Sequence, residues 1–314
     1  MTIAANLDTM ADQIQHIAIT SLTGQEWWLL VRPSGLCRSS DAGATWQQLL
    51  SSEEVGAELS QLAVSPNFSH DQTLVVGGQS GIWISQNAGQ SWQASELEQP
   101  IPAITGFAIS PDFGRDQTLF AATQADGVLV SHSAGRRWAK WNIGLFDHRV
   151  GSLALSADFA QDRTLYAGTR SGLFCSTNAA RSWHELATPW GESPITVVHT
   201  TNHYQAPALL IGGEGAGILL SLDGGKSWQK LGAQALSGKV KAIMSANEGY
   251  GLERLLVLAD GQLWLSEDLG ASWEAWSGEH EPIMAIARPE GFGNQQTLVA
   301  ADQTGKIRLL GHNP

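Results

Sequence analysis

The chain has 314 residues, 43% hydrophobic and 15% charged, with 34 glycines, a balance that suits many short strands and tight turns around a large core. Its formal net charge of −12 argues against nucleic acid or an anionic membrane surface as a partner, because like charges repel. No run of about 18 apolar residues could span a membrane, and the opening MTIAANLDTMADQIQ has neither a basic nor an apolar signal region, so a cytoplasmic protein is expected.

In chain order, 2–7 (TIAANL) is the first segment able to extend, and a strand is expected at 16–20. Equivalent strands, called a, follow at 61–65, 106–110, 152–156, 196–200, 241–245 and 284–288. After several of them runs one phrase: SPNFSHDQTL from Ser65, SPDFGRDQTL from Ser110 and SADFAQDRTL from Ser156. Looser copies carry Tyr204, Tyr250 and Phe292 at the aromatic position. Two apolar strands, b and c, come next, separated by a short Gly turn. An eight-residue phrase then leads into strand d: 39–46 (SSDAGATW), 85–92 (SQNAGQSW), 131–138 (SHSAGRRW), 176–183 (STNAARSW), 221–228 (SLDGGKSW) and 266–273 (SEDLGASW). Its tryptophans, Trp46, Trp92, Trp138, Trp183, Trp228 and Trp273, are spaced 45 or 46 residues apart.

Flanked by apolar strands, this phrase is a hairpin turn. A short Asp or Asn side chain accepts hydrogen bonds from the turn's own amides, the next glycine but one tolerates positive φ, and the Trp ring anchors the turn. Asp41, Asp223 and Asp268 carry the carboxylate, Asn87 and Asn178 replace it, and Ser133 does so in the third copy. Ala180 takes the place of the glycine and Arg137 that of Ser or Thr. Calcium wants six to eight oxygens and several carboxylates per loop. One carboxylate per turn, absent from half of the turns, marks these residues as structural, with no metal and no cofactor expected.

Four strands in about 45 residues make a propeller blade. The expected fold is all-β: a single seven-bladed β-propeller of four-stranded antiparallel blades. The blades fall near 16–60, 61–105, 106–151, 152–195, 196–240, 241–283 and 284–314, the last completed by 1–8 as its strand d. Six blades with loose ends is the alternative. Cys37 and Cys175 fall in equivalent strands of the first and fourth units, too far apart in a ring to pair. His199 replaces an apolar residue in strand a, and a satisfied core histidine is its simplest reading.

The eight-residue phrase resembles the Asp-box, or BNR, repeat, Ser-x-Asp-x-Gly-x-Ser/Thr-Trp. Sialidases share that repeat, and membership would imply an arginine triad, an Arg-Ile-Pro segment and a Tyr nucleophile. Here Val31-Arg32-Pro33 is a poor match, and Tyr166, Tyr204 and Tyr250 lie in strand b or in the aromatic slot of the a–b phrase. Xyloglucanases also resemble the chain, but they set two propellers face to face. In length and blade count the chain is similar to the photosystem II assembly factor group. That resemblance implies a non-enzymatic scaffold or assembly factor, with no catalytic residue. The alternative is a glycoside hydrolase or sialidase-like carbohydrate-active protein.

A docking surface is expected on the face shared by the b–c turns and d–a connections, opposite the near-identical hairpin turns. Its connections carry Glu53, Glu54, Glu58, Glu96, Glu98, Asp147, Glu192, Glu279 and Glu281 against Arg149 and Lys239. They also carry Trp141, Phe146, Trp190 and Trp276. Acids ringing aromatic anchors suit a basic protein or peptide, with carbohydrate as the other partner class. A solubilising acidic surface, its aromatics capping blade ends, is the bland reading.

Overall fold

The computed structural model describes residues 2–3, 13–204, 206–215, 217–232, 236, 238–248, 251–276, 281–287 and 298–310. Seven antiparallel sheets stand around one axis, where strands a of blades 1 to 6 touch in succession and that of blade 7 touches blade 1. Blade 1 comprises His16–Leu22, Gln25–Arg32, Gly35–Ser39 and Trp46–Ser51, strands a to d from axis to rim. Blade 2 comprises Leu59–Val64, Leu74–Gly78, Ile82–Ser85 and Gln93–Ala94, and blade 3 Ile104–Ile109, Leu119–Thr123, Val128–Ser131 and Arg137–Lys140. Blade 4 runs Val150–Leu155, Leu165–Thr169, Leu173–Ser176 and His184–Leu186, and blade 5 Ile195–His203, Ala206–Gly213, Ile218–Ser221 and Gln229–Leu231. Blade 6 has Val240–Glu248, Gly251–Ala259, Gln262–Ser266 and Glu274–Ala275, and blade 7 has Ile283–Ala287, Leu298–Asp302 and Ile307–Leu310.

The core is seven slabs rather than one centre, each between two neighbouring blades. Ile82, Ile84 and Val75 of blade 2 meet Leu119, Ala121 and Leu129 of blade 3, and the pattern repeats around the ring. Strand b is covered on both faces, which is why Leu74–Gly78, Leu119–Thr123, Leu165–Thr169 and Leu298–Asp302 are buried throughout and read as continuous apolar runs.

Closure differs from the sequence expectation. Thr2 and Ile3 pair antiparallel with Gln47 and Trp46 on the outer edge of blade 1, not with blade 7. The ring is closed by a seventh slab: Ile14, Ile17, Trp28 and Leu30 of the first blade pack on Ala285, Ala287, Val299 and Ala301 of the last. Gln13 Nε2 adds a hydrogen bond to the Gln303 carbonyl at 3.0 Å. Apolar side chains close this joint as they close the other six, with no shared strand among the described residues. Blade 3 also gains an outer strand, Glu96–Leu97, parallel to its strand d.

The hairpin turns behave as their residues dictate. Ser39 Oγ donates to Asp41 Oδ1 (2.8 Å) and accepts from the Gly43 amide (2.8 Å), while the Thr45 amide and hydroxyl donate to the two Asp41 oxygens (2.8 and 2.6 Å). Ala42 and Gly43 both have positive φ (54° and 86°), the conformation of a tight strand-reversing turn. Ala180 bears φ 70° where glycine would do so without strain. The indole N–H groups of Trp92, Trp183 and Trp228 donate to the carbonyls of Leu49, Trp141 and Ala187, so each ring tethers its blade to the preceding one. In the Asn turns the polarity reverses, with Asn87 Nδ2 donating to Ser91 Oγ at 2.8 Å.

Hydrogen bonds from Thr45 hold the Asp41 carboxyl down at about 2, and those from Ser227 and Ser272 depress Asp223 and Asp268 likewise. A depressed folded-state pKa stabilises the fold above the unfolded value, near pH 4, and that contribution is lost as pH falls through the folded value. Asn already serves in two turns, so Asp41→Asn, Asp223→Asn and Asp268→Asn together should flatten the fall of the urea midpoint on acidification to about pH 2. An acid limb as steep as that of the wild type would remove this assignment.

In blades 2 to 4 the a–b phrase folds into a one-turn helix that buries Phe68, Phe113 and Phe159. Ser65, Ser110 and Ser156 donate to Asp71, Asp116 and Asp162 at 2.6–2.7 Å, and the amides of Thr73, Thr118 and Thr164 cap the same carboxylates. Blade 5 departs from this pattern. Its strands a and b run on into a continuous hairpin, and Tyr204 sits in the turn, 65% exposed with φ 46°. It is not in a buried aromatic slot. Blade 6 shows the same lengthened hairpin, with Tyr250 outside the described residues, as is Phe292. His199 Nε2 lies 2.8 Å from Ser245 Oγ, joining strands a of blades 5 and 6 at a half-buried position. Cys175 is buried in strand c, which pushes its thiol up to about 12, and Cys37 occupies the equivalent strand of blade 1; the two are not joined in a disulfide.

Candidate functional site

Strands a begin on the face that carries the d–a connections and b–c turns. In blades 2 to 7 the a–b register slips by one residue at that start, between Leu59 and Gln61, Ile104 and Gly106, Val150 and Ser152, Ile195 and Val197, Val240 and Ala242, and Ile283 and Ala285. Such a bulge re-aims the extra residue. In blades 3 to 7 these residues, Thr105, Gly151, Thr196, Lys241 and Met284, all line one cavity of about 550 Å³ at the mouth of the axis, with Gln15 and Gln61 from blades 1 and 2. Thr105 and Thr196 spend their hydroxyl protons on the next blade, donating to the carbonyls of Val150 and Val240, both at 2.6 Å. The bulge therefore both ties the strands together and furnishes the mouth.

Charge at this mouth runs opposite to the molecule as a whole. Arg149, Arg170, Lys239 and Lys241 line it against Glu214 alone among the described carboxylates. Arg149 precedes strand a of blade 4 and Arg170 follows strand b, at the same end of that sheet, and Lys239 and Lys241 flank the start of blade 6, so the cations bracket blade 5. Asp147 is 7% exposed; its oxygens accept from Arg149 Nε (2.9 Å) and from the Ser171 amide (2.9 Å). These hydrogen bonds outweigh the burial that would raise its carboxyl, holding its pKa below the usual range. Asp147 is thus no surface acid. It holds Arg149 at the mouth.

The connection 141–149 leads from the rim to this mouth and is tied down along its length. Trp183 donates its amide to the Ile143 carbonyl (2.7 Å) and its indole N–H to the Trp141 carbonyl (2.9 Å). Gly144, with φ 81°, lies so close to the Trp183 carbonyl that a Cβ would stand 2.1 Å from that oxygen. Leu145 is buried, whereas Ile143 and Phe146 are 75% and 86% exposed.

The other expected docking residues separate into distinct surroundings. Trp276 is 5% exposed in the slab between blades 6 and 7, because the neighbouring sheet covers it, and so is no surface anchor. Trp141 is half-buried with its ring centroid 5.2 Å from that of His132, and Trp190 is half-buried against the slab between blades 4 and 5. Glu54 is exposed but closes the capping box of a short helix, accepting from the Ser51 amide at 2.8 Å, with Glu53 exposed beside it. Glu58 accepts from Gln79, and Glu281 from Gln303 at 2.7 Å; both are exposed. Glu279 lies outside the described residues. Acids around four aromatic anchors therefore reduce to scattered exposed carboxylates and one exposed aromatic, Phe146, joined by Ile143. Ile143, Arg170 and Lys241 were missed. Arg170 is recognisable only once its turn is placed at the axis, and Lys241 stands out only when aligned with Thr105 and Thr196 at the bulge.

No family model matches the chain, and no curated protein matches it. Among solved structures it is similar to YCF48 from Cyanidioschyzon merolae, at 13% identity over 100% of this chain and 98% of that one, with a TM-score of 0.65. It is similar to an ancestral GH74 enzyme at 16% identity and a TM-score of 0.61, covering 78% of this chain and spanning only 35% of that enzyme. A chain of a mitotic checkpoint complex matches at 11% identity and a TM-score of 0.70 over 100% of this chain and 91% of that one. At these identities the shared property is the propeller fold, which occurs in enzymes and in assemblies alike.

Proposed function

We propose that the protein is a non-enzymatic scaffold that docks a protein or peptide on the face of the b–c turns and d–a connections. The observation that carries this reading is the pair Ile143 and Phe146, large apolar side chains held in solvent by a loop that is itself pinned to Trp183. A rigid exposed aromatic loses little entropy on binding and is typical of an interface anchor. The partner then offers an apolar pocket for Phe146 and basic groups for the exposed carboxylates Glu53, Glu58 and Glu281. Against glycosidase chemistry, the described lining of the mouth sets one carboxylate, Glu214, among four cations, whereas acid–base hydrolysis uses two facing carboxyls.

The test is capture of partners from the source cell by wild type and by Ile143→Asp/Phe146→Asp. The variant should lose about 2 kcal/mol, roughly thirtyfold in affinity, for the principal partner. Equal capture by both proteins would overturn the anchor. Turnover of sialosides or β-glucans that a single carboxylate substitution abolishes would overturn the non-enzymatic reading.

A further inference from the structure

The axial mouth concentrates cations in a protein of formal charge −12. Scattered charges on an acidic surface would be expected to leave the mouth neutral or acidic. Instead Arg149 and Arg170 gather on one side of blade 5, and Lys239 and Lys241 on the other. Arg149 has Asp147 as its partner, in a bond that orients the guanidinium, with its side chain still 55% exposed. Arg170, Lys239 and Lys241 are exposed and form no ion pair with any described residue, Glu214 included. Four cations against Asp147 and Glu214 leave the mouth net positive, and an anion entering the cavity relieves the remaining repulsion. The cavity, about 550 Å³, has the size of a small-molecule site.

We infer that the axial mouth binds a small polyanion with two oxyanion groups, phosphate or carboxylate, one facing the arginine pair of blade 4 and the other the lysine pair of blade 6. Arginine supplies a planar fork matched to an oxyanion, and lysine a mobile point charge. The hydroxyl protons of Thr105 and Thr196 are committed to carbonyls, so the bulge residues of blades 3 and 5 shape the site while the cations hold the ligand. Asp147 is a positioning residue. The site lies inward of Ile143 and Phe146, so it stands or falls separately from the docking reading.

The experiment is calorimetric titration of the full chain, in chloride buffer, with pyrophosphate and with citrate, using acetate as the single-carboxylate control. One-site binding of pyrophosphate, of citrate or of both supports the site and identifies which oxyanion source it accepts. Arg170→Glu and Lys241→Glu should each weaken binding by about tenfold or more, while Ile143→Asp/Phe146→Asp leaves it unchanged. Should either charge reversal fail to fold by circular dichroism, Arg170→Gln and Lys241→Gln decide in its place. The inference is overturned if neither anion binds at about 10 mM, if the mouth variants bind as wild type does, if acetate binds as well as citrate, or if only an oligoglutamate peptide binds.

Discussion

Trp28→Ala is expected to cost about 3–5 kcal/mol, the range for removing a buried large aromatic from a packed core. Trp28 is 3% exposed and lies in the slab that joins blade 1 to blade 7. Its indole N–H also donates to Glu26 Oε1 at 2.6 Å. The cavity left behind cannot collapse readily, because the facing residues Ala285, Ala287 and Ala301 are too short to fill it. Deleting residues 1–3 removes, among the described residues, the two-residue ladder to Gln47 and Trp46, and should cost about 1–2 kcal/mol. Urea denaturation of the two variants checks the order. A truncation more damaging than Trp28→Ala would mean that a strand, not the side-chain slab, closes the ring.

Phe159→Ala should likewise cost about 3–5 kcal/mol, whereas Tyr204→Ala should stay within about 0.5 kcal/mol of wild type. The two residues hold the same place in the sequence repeat but not in the fold. Phe159 is fully buried, edge-on to Phe120 with ring centroids 5.6 Å apart, in the slab between blades 3 and 4. Tyr204 projects from a hairpin turn, its ring against His203 at 4.5 Å. Thermal melts of both variants test this. Equal losses would show that the Tyr204 turn folds back into a core.

The contrast shows what kind of signal a repeat carries. In the a–b phrase the residues that require the helical turn are Ser156, Asp162 and Thr164, whose hydrogen bonds cap it from both ends. Around Tyr204 that Ser and Asp pattern is gone, and the backbone satisfies itself by extending the strand ladder through Asn202 and Pro207 to His203 and Ala206. The aromatic is common to both segments; the polar cap is what separates them.

The sequence by itself determined the blade and its hairpin turns, and narrowed the blade number to seven or six. Those features arise from hydrogen bonds spanning two to six residues, Ser39 to Asp41 or Ser65 to Asp71, so the information needed to read them lies within one short segment. Only the tertiary structure decided where the ring closes, that Trp276 is buried while Phe146 is not, and that four cations share a cavity. Each of these depends on which blade lies beside which, and on a one-residue bulge that turns Lys241 toward the axis without altering the apolar pattern around it.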